Sequence, residues 1–363
     1  MAAANDLRVL IAGGGTGGHV IPALAIAREL RDAYGAEVRF VGTARGLETR
    51  LVPEAGFPLE LIKVGQLKNV SVATRIRTML DLPLGVLHCI KLLWAFKPHV
   101  VVGVGGYASG PAMMAALLRF LPTLAFEPNA VPGLANRLVG RWVSAAAVNL
   151  PETVNYFRNA QVTGTPVRPE FFAIRPKPEG ATKRLLVFGA SQGARIFNET
   201  MPKIMDRLLT LVPGLEIVHQ TGARHGATTL AAYEQLGVAF DQVRVTPYLD
   251  DMAAQFASAD LILCRSGASS VAEVAAAGRA AVLVPFPQAA DDHQRKNAEA
   301  FVTEGAAAMI IEAELTEELL LETLVSLLRD NARRSDMGAA ARALAHPDAV
   351  RQIGALVAGL VRR

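Results

Sequence analysis

Apolar residues fall along the chain in short unbroken runs rather than in alternation. RVLIA, VRFVG, HVVVGVG, LPTLAF, RLLVFG, LEIVHQ, VRVTPY, ADLILC and AAVLVPF are each followed by a loop and then a helix-length segment. Continuous Val/Leu/Ile runs read as strands buried on both faces. Strands that alternate with helices build parallel sheets covered by those helices. The pattern predicts an α/β protein of the doubly wound kind. With 363 residues the chain exceeds one ordinary core and divides into two domains.

The pattern also repeats. VLIAGGGTGGHVIPALAIARELRD and LLVFGASQGARIFNETMPKIMDRL align without a gap, placing Gly13 on Gly189, Gly17 on Gly193 and His19 on Arg195. Each domain therefore opens with the same strand, glycine loop and helix. A first domain over 1–164 and a second over 165–345 follow, with TGTPVRPEFFAIRPKPEGATK as the linker because Pro166, Pro169, Pro176 and Pro178 crowd it. Residues 346–363 read as a last helix after a His-Pro break, free to pack on the second domain or to return to the first.

Composition changes this picture little. An apolar share of 51% with 19% charged residues is that of a soluble globular protein. Two distant cysteines, Cys89 and Cys264, make no disulfide framework and read as buried thiols in a reducing compartment. The first residues show no signal-peptide pattern. Residues 100–118 are uncharged but hold four glycines and a proline, so they read as strand, loop and buried helix rather than a membrane span.

Charge is more informative. Residues 1–163 carry 16 Lys/Arg against 10 Asp/Glu, while the remainder carries 21 against 23. The excess comes from 63–97, where Lys63, Lys68, Arg75, Arg77, Lys91 and Lys97 face only Asp81. Interleaved with Leu, Ile, Val, Trp94 and Phe96, such a stretch can lie on an anionic membrane surface or form a solvated face beside a core. No stacking platform or recognised motif accompanies it, so nucleic acid is not the partner.

The candidate chemistry lies in glycine loops at strand ends. Gly13, Gly15 and Gly18 satisfy GxGxxG, the dinucleotide pattern. That reading needs an acid at the end of the second strand to hold the ribose, where this chain has Gly42 and Thr43. No GK[ST] follows, which removes a P-loop. What remains is shared physics: bare backbone approaches a ligand closely, and a helix start offers unpaired N–H groups and a positive dipole end. GGGTGGH, GVGGYASGP and GASQGAR all do this, which favours phosphate or sugar binding in both halves. In 259–298 a strand runs into RSGASS and a helix bearing Glu273. A second strand there leads to the polar cluster QAADDHQRKNA. A carboxylate at a helix start can be a dipole partner, or can accept the two hydroxyls of a ribose.

Seven strings carry a resemblance: GGTGGHVIPALAIA, GGYASGPAMMAA, EPNAVPGLANR, GTPVRPEF, FGASQGARIFN, YLDDMAAQFASADLILCRSGASSVAEV and PFPQAADDHQRKNA. In this combination and order the chain resembles the MurG family of N-acetylglucosaminyltransferases of bacterial peptidoglycan synthesis. The resemblance implies the GT-B fold, two Rossmann-like doubly wound domains facing across a cleft. It implies that the C-terminal domain holds UDP-N-acetylglucosamine and the N-terminal domain holds lipid I. It also implies inverting transfer to the C4 hydroxyl of the muramoyl sugar, giving lipid II. Carried over residue by residue, the donor site comprises Thr16, Gly17, Gly18, Asn129, Arg168, Ser191, Leu249, Ala268, Ser269, Ser270, Val271, Ala272, Glu273 and Gln294. Within it Glu273 holds the ribose, the Leu249 backbone meets the uracil, and Ser191 with its neighbours holds the diphosphate. Gln294 and Asn129 address the sugar.

His19 is the expected catalytic base, since an imidazole titrates near neutral pH and follows the acceptor-side loop; a positioning role is the alternative. His293 sits in the polar cluster beside the sugar position, and His88, His99, His219, His225 and His346 read as structural. No Asp-x-Asp occurs, so no metal site or cofactor is expected, although a divalent ion could assist. The resemblance turns the basic stretch toward the anionic cytoplasmic face of the inner membrane. It also implies the cell-wall elongation and division machinery as a partner.

Two departures from the family stand out. FEPN replaces HEQN at Phe126, Glu127, Pro128 and Asn129, and one more glycine precedes GGTGGH. Rival readings are another GT-B enzyme with a different acceptor, an NAD-dependent oxidoreductase, and a non-catalytic sensor of sugar nucleotides.

Overall fold

The computed structural model describes residues 7–64, 72–177, 182–189, 192–235 and 241–361, with the backbone alone for 72–81. Ser191, Lys68 and the side chains of Arg75, Arg77 and Asp81 lie outside the described residues. The chain divides into two compact units, Met1–Pro166 with Asp348–Arg363, and Val167–Pro347.

The first unit holds β1 (Arg8–Ala12), α1 (Gly17–Tyr34), β2 (Glu37–Gly42), α2 (Glu48–Glu54), β3 (Leu59–Leu61), α3 (Val72–Phe96), β4 (Val100–Gly103), α4 (Ser109–Leu118), β5 (Thr123–Glu127), α5 (Leu134–Val139), β6 (Ala145–Val148) and β7 (Ala160–Val162). The second holds α6 (Pro169–Phe172), β8 (Arg184–Phe188), α7 (Arg195–Leu211), β9 (Glu216–Gln220), α8 (Gly226–Gln235), β10 (Val243–Thr246), α9 (Met252–Ser258), β11 (Leu261–Cys264), α10 (Ala268–Ala277), β12 (Ala281–Leu283), α11 (His293–Thr303), β13 (Ala307–Met309), α12 (Glu317–Arg329) and α13 (Asn331–Ala343). The closing helix α14 (Ala349–Val361) returns to the first unit.

Each unit is built on an all-parallel sheet. The strand orders are β3-β2-β1-β4-β5-β6-β7 and β10-β9-β8-β11-β12-β13. The six strands of the second sheet repeat the order of the first six in the first, which adds β7 at its edge: the first strand lies inside and the order reverses beside it. In such sheets ligands bind at the carboxyl ends where the order reverses. Those switch points lie between β1 and β4, and between β8 and β11.

Local chemistry sets the helices between the strands. α1 buries Val20, Ala23, Leu24, Ile26, Ala27 and Leu30, the three-and-four spacing of one helix face, and stops at Gly35. Gly35 takes φ 62° and donates to Arg31 O while Ala36 N–H donates to Leu30 O, a left-handed cap that glycine adopts without penalty. α14 packs against α1 because Ile353 and Val357 fall in the same core and Gly354 lets the Glu29 side chain approach. The sequence left this helix undecided between the two domains.

Four strands escaped the sequence reading: LEL, AAAV, AQV and AAM. All are three or four residues long, too short for an apolar run to stand out, and two are rich in alanine, a weak strand former. The boundary between the units, Pro166 to Val167, falls inside the expected linker, which is not bare coil. Within it Pro169–Phe172 forms α6, and Phe171 is fully buried, edge-on to Phe256 at 5.1 Å.

Candidate functional site

In the first unit the switch point is closed by two backbones in contact. The loop after β1 runs Gly13 to Thr16, and a Cβ at Gly13 would lie 2.5 Å from the carbonyl oxygen of Gly105 in the loop after β4. The additional glycine of the first loop therefore permits a close approach between the two loops. Thr16 is extended and caps α1 through its carbonyl, which accepts the N–H groups of His19 and Val20 at 3.1 Å. Gly17 and Gly18 form the first turn, whose N–H groups a helix leaves unpaired internally. His19 follows, half-buried, with Nδ1 3.5 Å from the Thr16 hydroxyl. Its ring lies against Gly105, where an added Cβ would stand 3.0 Å from Cδ2 and Nε2. Thr16, Gly17, Gly18 and His19 thus form one cluster at the carboxyl end of the first sheet.

Asn129 belongs to the same unit, at the end of β5. Glu127 is 2% exposed and accepts four hydrogen bonds of 3.0–3.1 Å. Oε1 takes the backbone and side-chain N–H groups of Asn129, and Oε2 takes Gly133 N–H and Asn136 Nδ2. Burial pushes the Glu127 carboxyl above its ordinary range, and these donors oppose the shift. Phe126 and Pro128, the residues that depart from HEQN, are both buried, and Phe126 lies in the sheet core.

In the second unit the strand β11 leads through Arg265, Ser266 and Gly267 into α10. Of the expected run, Ala268, Ser270 and Val271 are buried, while Ser269, Ala272 and Glu273 are partly exposed. The Ser269 hydroxyl is buried and makes no hydrogen bond within the protein. Glu273 faces Arg168 at 3.8 Å. Burial pushes its carboxyl up to about 7, with the Arg168 charge pulling it down. Leu249 is buried.

Gln294 joins this cluster through α11. Its Oε1 accepts Phe286 N–H at 3.0 Å, its carbonyl accepts the Ser266 hydroxyl at 2.8 Å, and a Cβ at Gly267 would lie 3.9 Å from its Nε2. Asn297 Nδ2 donates to Ser266 O at 3.1 Å and ties α11 to the same loop. Arg168, Ser269, Glu273 and Gln294 are therefore brought together around the start of α10. His293 points Nδ1 at Ala290 O, 2.5 Å away. Elsewhere His99 accepts from Arg8 N–H, and His219 is fully buried against Tyr233, its pKa pushed down to about 3.

Arg265 is a residue the sequence reading passed over. It is buried, donates to Val284 O and Pro285 O, pairs with Glu312, and underlies Phe286. It props the loop that opens α10. Its string was noticed, but its partners lie 19 to 47 residues further on and no local pattern reveals them. Among the described residues no group of three His, Cys, Asp or Glu side chains is arranged to hold a metal ion.

Two parallel Rossmann-like sheets, one carrying a histidine beside a glycine loop and the other a carboxylate in the second turn of a helix, are the paired units of the GT-B fold. The N-terminal domain model of glycosyltransferase family 28 matches residues 9–148, and its C-terminal domain model matches 184–353. The chain is 44% identical to the UDP-N-acetylglucosamine--N-acetylmuramyl-(pentapeptide) pyrophosphoryl-undecaprenol N-acetylglucosamine transferase of Solibacter usitatus (strain Ellin6076), covering 97% of this chain and 96% of that one. It is 43% identical to the protein of the same description in Anaeromyxobacter sp. (strain K), over 98% and 94%. The crystal structure of Acinetobacter baumannii MurG matches with a TM-score of 0.80 at 31% identity, over 97% of this chain and 99% of that one. The chain belongs to glycosyltransferase family 28 and, within it, to the MurG family of N-acetylglucosaminyltransferases.

Proposed function

We infer that this protein transfers N-acetylglucosamine from UDP-N-acetylglucosamine to the C4 hydroxyl of the muramoyl sugar of lipid I, producing lipid II and UDP. The observation that carries the reading is a relationship at 43–44% identity that runs through both units, so it takes in the acceptor-side loops as well as the donor-side helix.

Each step has a group suited to it. His19 takes the proton as the C4 oxygen attacks the anomeric carbon from the face opposite UDP, so one C–O bond forms as the bond to the diphosphate breaks. The product linkage is inverted to β. The start of α10, with Ser269, meets the charge that grows on the leaving diphosphate, an arrangement that calls for no metal bridge. Glu273 accepts the ribose hydroxyls and Gln294 addresses the sugar. Titration calorimetry with UDP-N-acetylglucosamine against UDP-glucose tests the donor half, and equal affinity for the two would contradict it.

We further propose that the protein works at the anionic cytoplasmic face of the membrane. Among the described residues no helix is long and apolar enough to cross a bilayer. α3, α4 and α5 pack together in the first unit and leave Leu84, Leu87, Trp94, Leu118, Phe120 and Trp142 exposed. Arg119 lies 3.8 Å over the Trp94 ring. Apolar side chains interleaved with Arg and Lys suit the interface of a lipid leaflet.

A further inference from the structure

We infer that Glu48 is a positioning residue for the acceptor-side loop, gripping Gly15 so that α1 begins where it sets His19 against Gly105. The inference rests on the reading of His19 as the group that takes the acceptor proton.

Glu48 opens α2 and is 1% exposed. Its carboxylate reaches behind the loop after β1, where Oε2 accepts Gly15 N–H at 2.7 Å. Oε1 accepts both the N–H and the hydroxyl of Thr43, each at 3.0 Å, at the end of β2. The preceding residue completes the hold, because Leu47 N–H donates to Gly15 O at 3.2 Å. Both backbone groups of Gly15 are thus fixed by two consecutive residues. Gly15 takes φ +94°, a conformation an L side chain rarely adopts, and it immediately precedes the Thr16 cap of α1.

The surroundings are shaped to this side chain. A Cβ at Gly14, Gly42 or Gly46 would run into Glu48, so three glycines from two loops and a strand end leave it room. Three donors converge on two oxygens that only accept. Glutamine would keep one acceptor and turn an NH2 group onto either Gly15 N–H or the Thr43 donors, leaving buried donors opposed. The carboxylate therefore links β2, the first glycine loop and α2 into one support. Through Thr16 that support sets the direction in which His19 leaves α1.

The test is Glu48→Gln in the full-length protein, assayed with UDP-N-acetylglucosamine and a lipid I analogue. The expected result is a fall in kcat of about ten- to a hundredfold, the cost of a catalytic group displaced by roughly an ångström. The Kd for UDP-N-acetylglucosamine should change by much less than kcat, since Arg168, Leu249, the run from Ala268 to Glu273 and Gln294 belong to the other unit and only Thr16, Gly17, Gly18 and Asn129 of the donor set to this one. In a His19→Ala background Glu48→Gln should lower the residual rate by less than about twofold, because its effect passes through His19. A wild-type kcat, or an equal loss in both backgrounds, would overturn the inference. If Glu48→Gln does not fold, Thr43→Val removes only the hydroxyl bond to Oε1; a kcat loss of about three- to tenfold is expected, and an unchanged rate overturns the proposal. A His19→Ala enzyme at full rate would overturn both this inference and the reading of His19. Full activity of Glu48→Gln in a His19-dependent enzyme would overturn this inference alone.

Discussion

The Arg168 guanidinium stands 3.8 Å from the Glu273 carboxylate, the first at the cap of α6 and the second in the second turn of α10. Burial raises the Glu273 carboxyl to about 7 and Arg168 opposes the rise, so its charge changes within the working range. The sign follows directly. Ribose hydroxyls donate to a carboxylate, which is the form present above about 7. KM for UDP-N-acetylglucosamine should therefore rise as pH falls through that value. Glu273→Gln should raise KM about tenfold or more at pH 8 and flatten its dependence on pH. An unaltered pH profile in Glu273→Gln would remove Glu273 from donor binding.

His19→Ala should lower kcat by about a hundred- to ten-thousandfold, the range for loss of a general base, with donor affinity nearly intact. Gly105→Ala offers an independent probe. It strains a backbone at φ +87° and brings a methyl group within 3.0 Å of the imidazole, so kcat should fall while UDP-N-acetylglucosamine still binds. Steady-state kinetics beside calorimetry separates the two quantities.

Phe171→Ala should destabilise the fold by about 3–5 kcal/mol, the usual cost of emptying a fully buried aromatic site. Circular dichroism during chemical denaturation measures it. A shift no larger than that of an exposed substitution would mean that the proline-rich segment does behave as a linker.

Vesicle sedimentation tests the membrane face. Binding should require anionic lipid and weaken as salt rises, since each basic side chain near the surface contributes about 1 kcal/mol. Phe120→Asp together with Trp142→Asp should lower partitioning by roughly tenfold or more, because both side chains are exposed in the apolar patch. Binding indifferent to charge, salt and both substitutions would contradict the assignment.

What the sequence disclosed depended on the range of each interaction. The long apolar strands and the repeat from Gly13 to Gly189 were legible because periodicity and glycine chemistry are local signals. AAAV and AAM were not, since short alanine-rich strands are made by their neighbours in the sheet. Among site residues, Glu273 and His19 stood out by chemical type beside glycine-rich helix starts. Glu48 and Arg265 did not. Their roles come from donors and acceptors on separate elements, Gly15 at 33 residues' distance from the first and Val284 at 19 from the second. Phe126 and Pro128 are buried, and Glu127 between them organises Asn129 through two hydrogen bonds that the sequence does not reveal.

Incubation of the protein with UDP-N-acetylglucosamine and authentic lipid I, following UDP release and product mass together, tests the central claim most directly. One UDP should appear for each acceptor that gains one β-linked N-acetylglucosamine. UDP released without extension of the acceptor, or no reaction at all, would contradict the account.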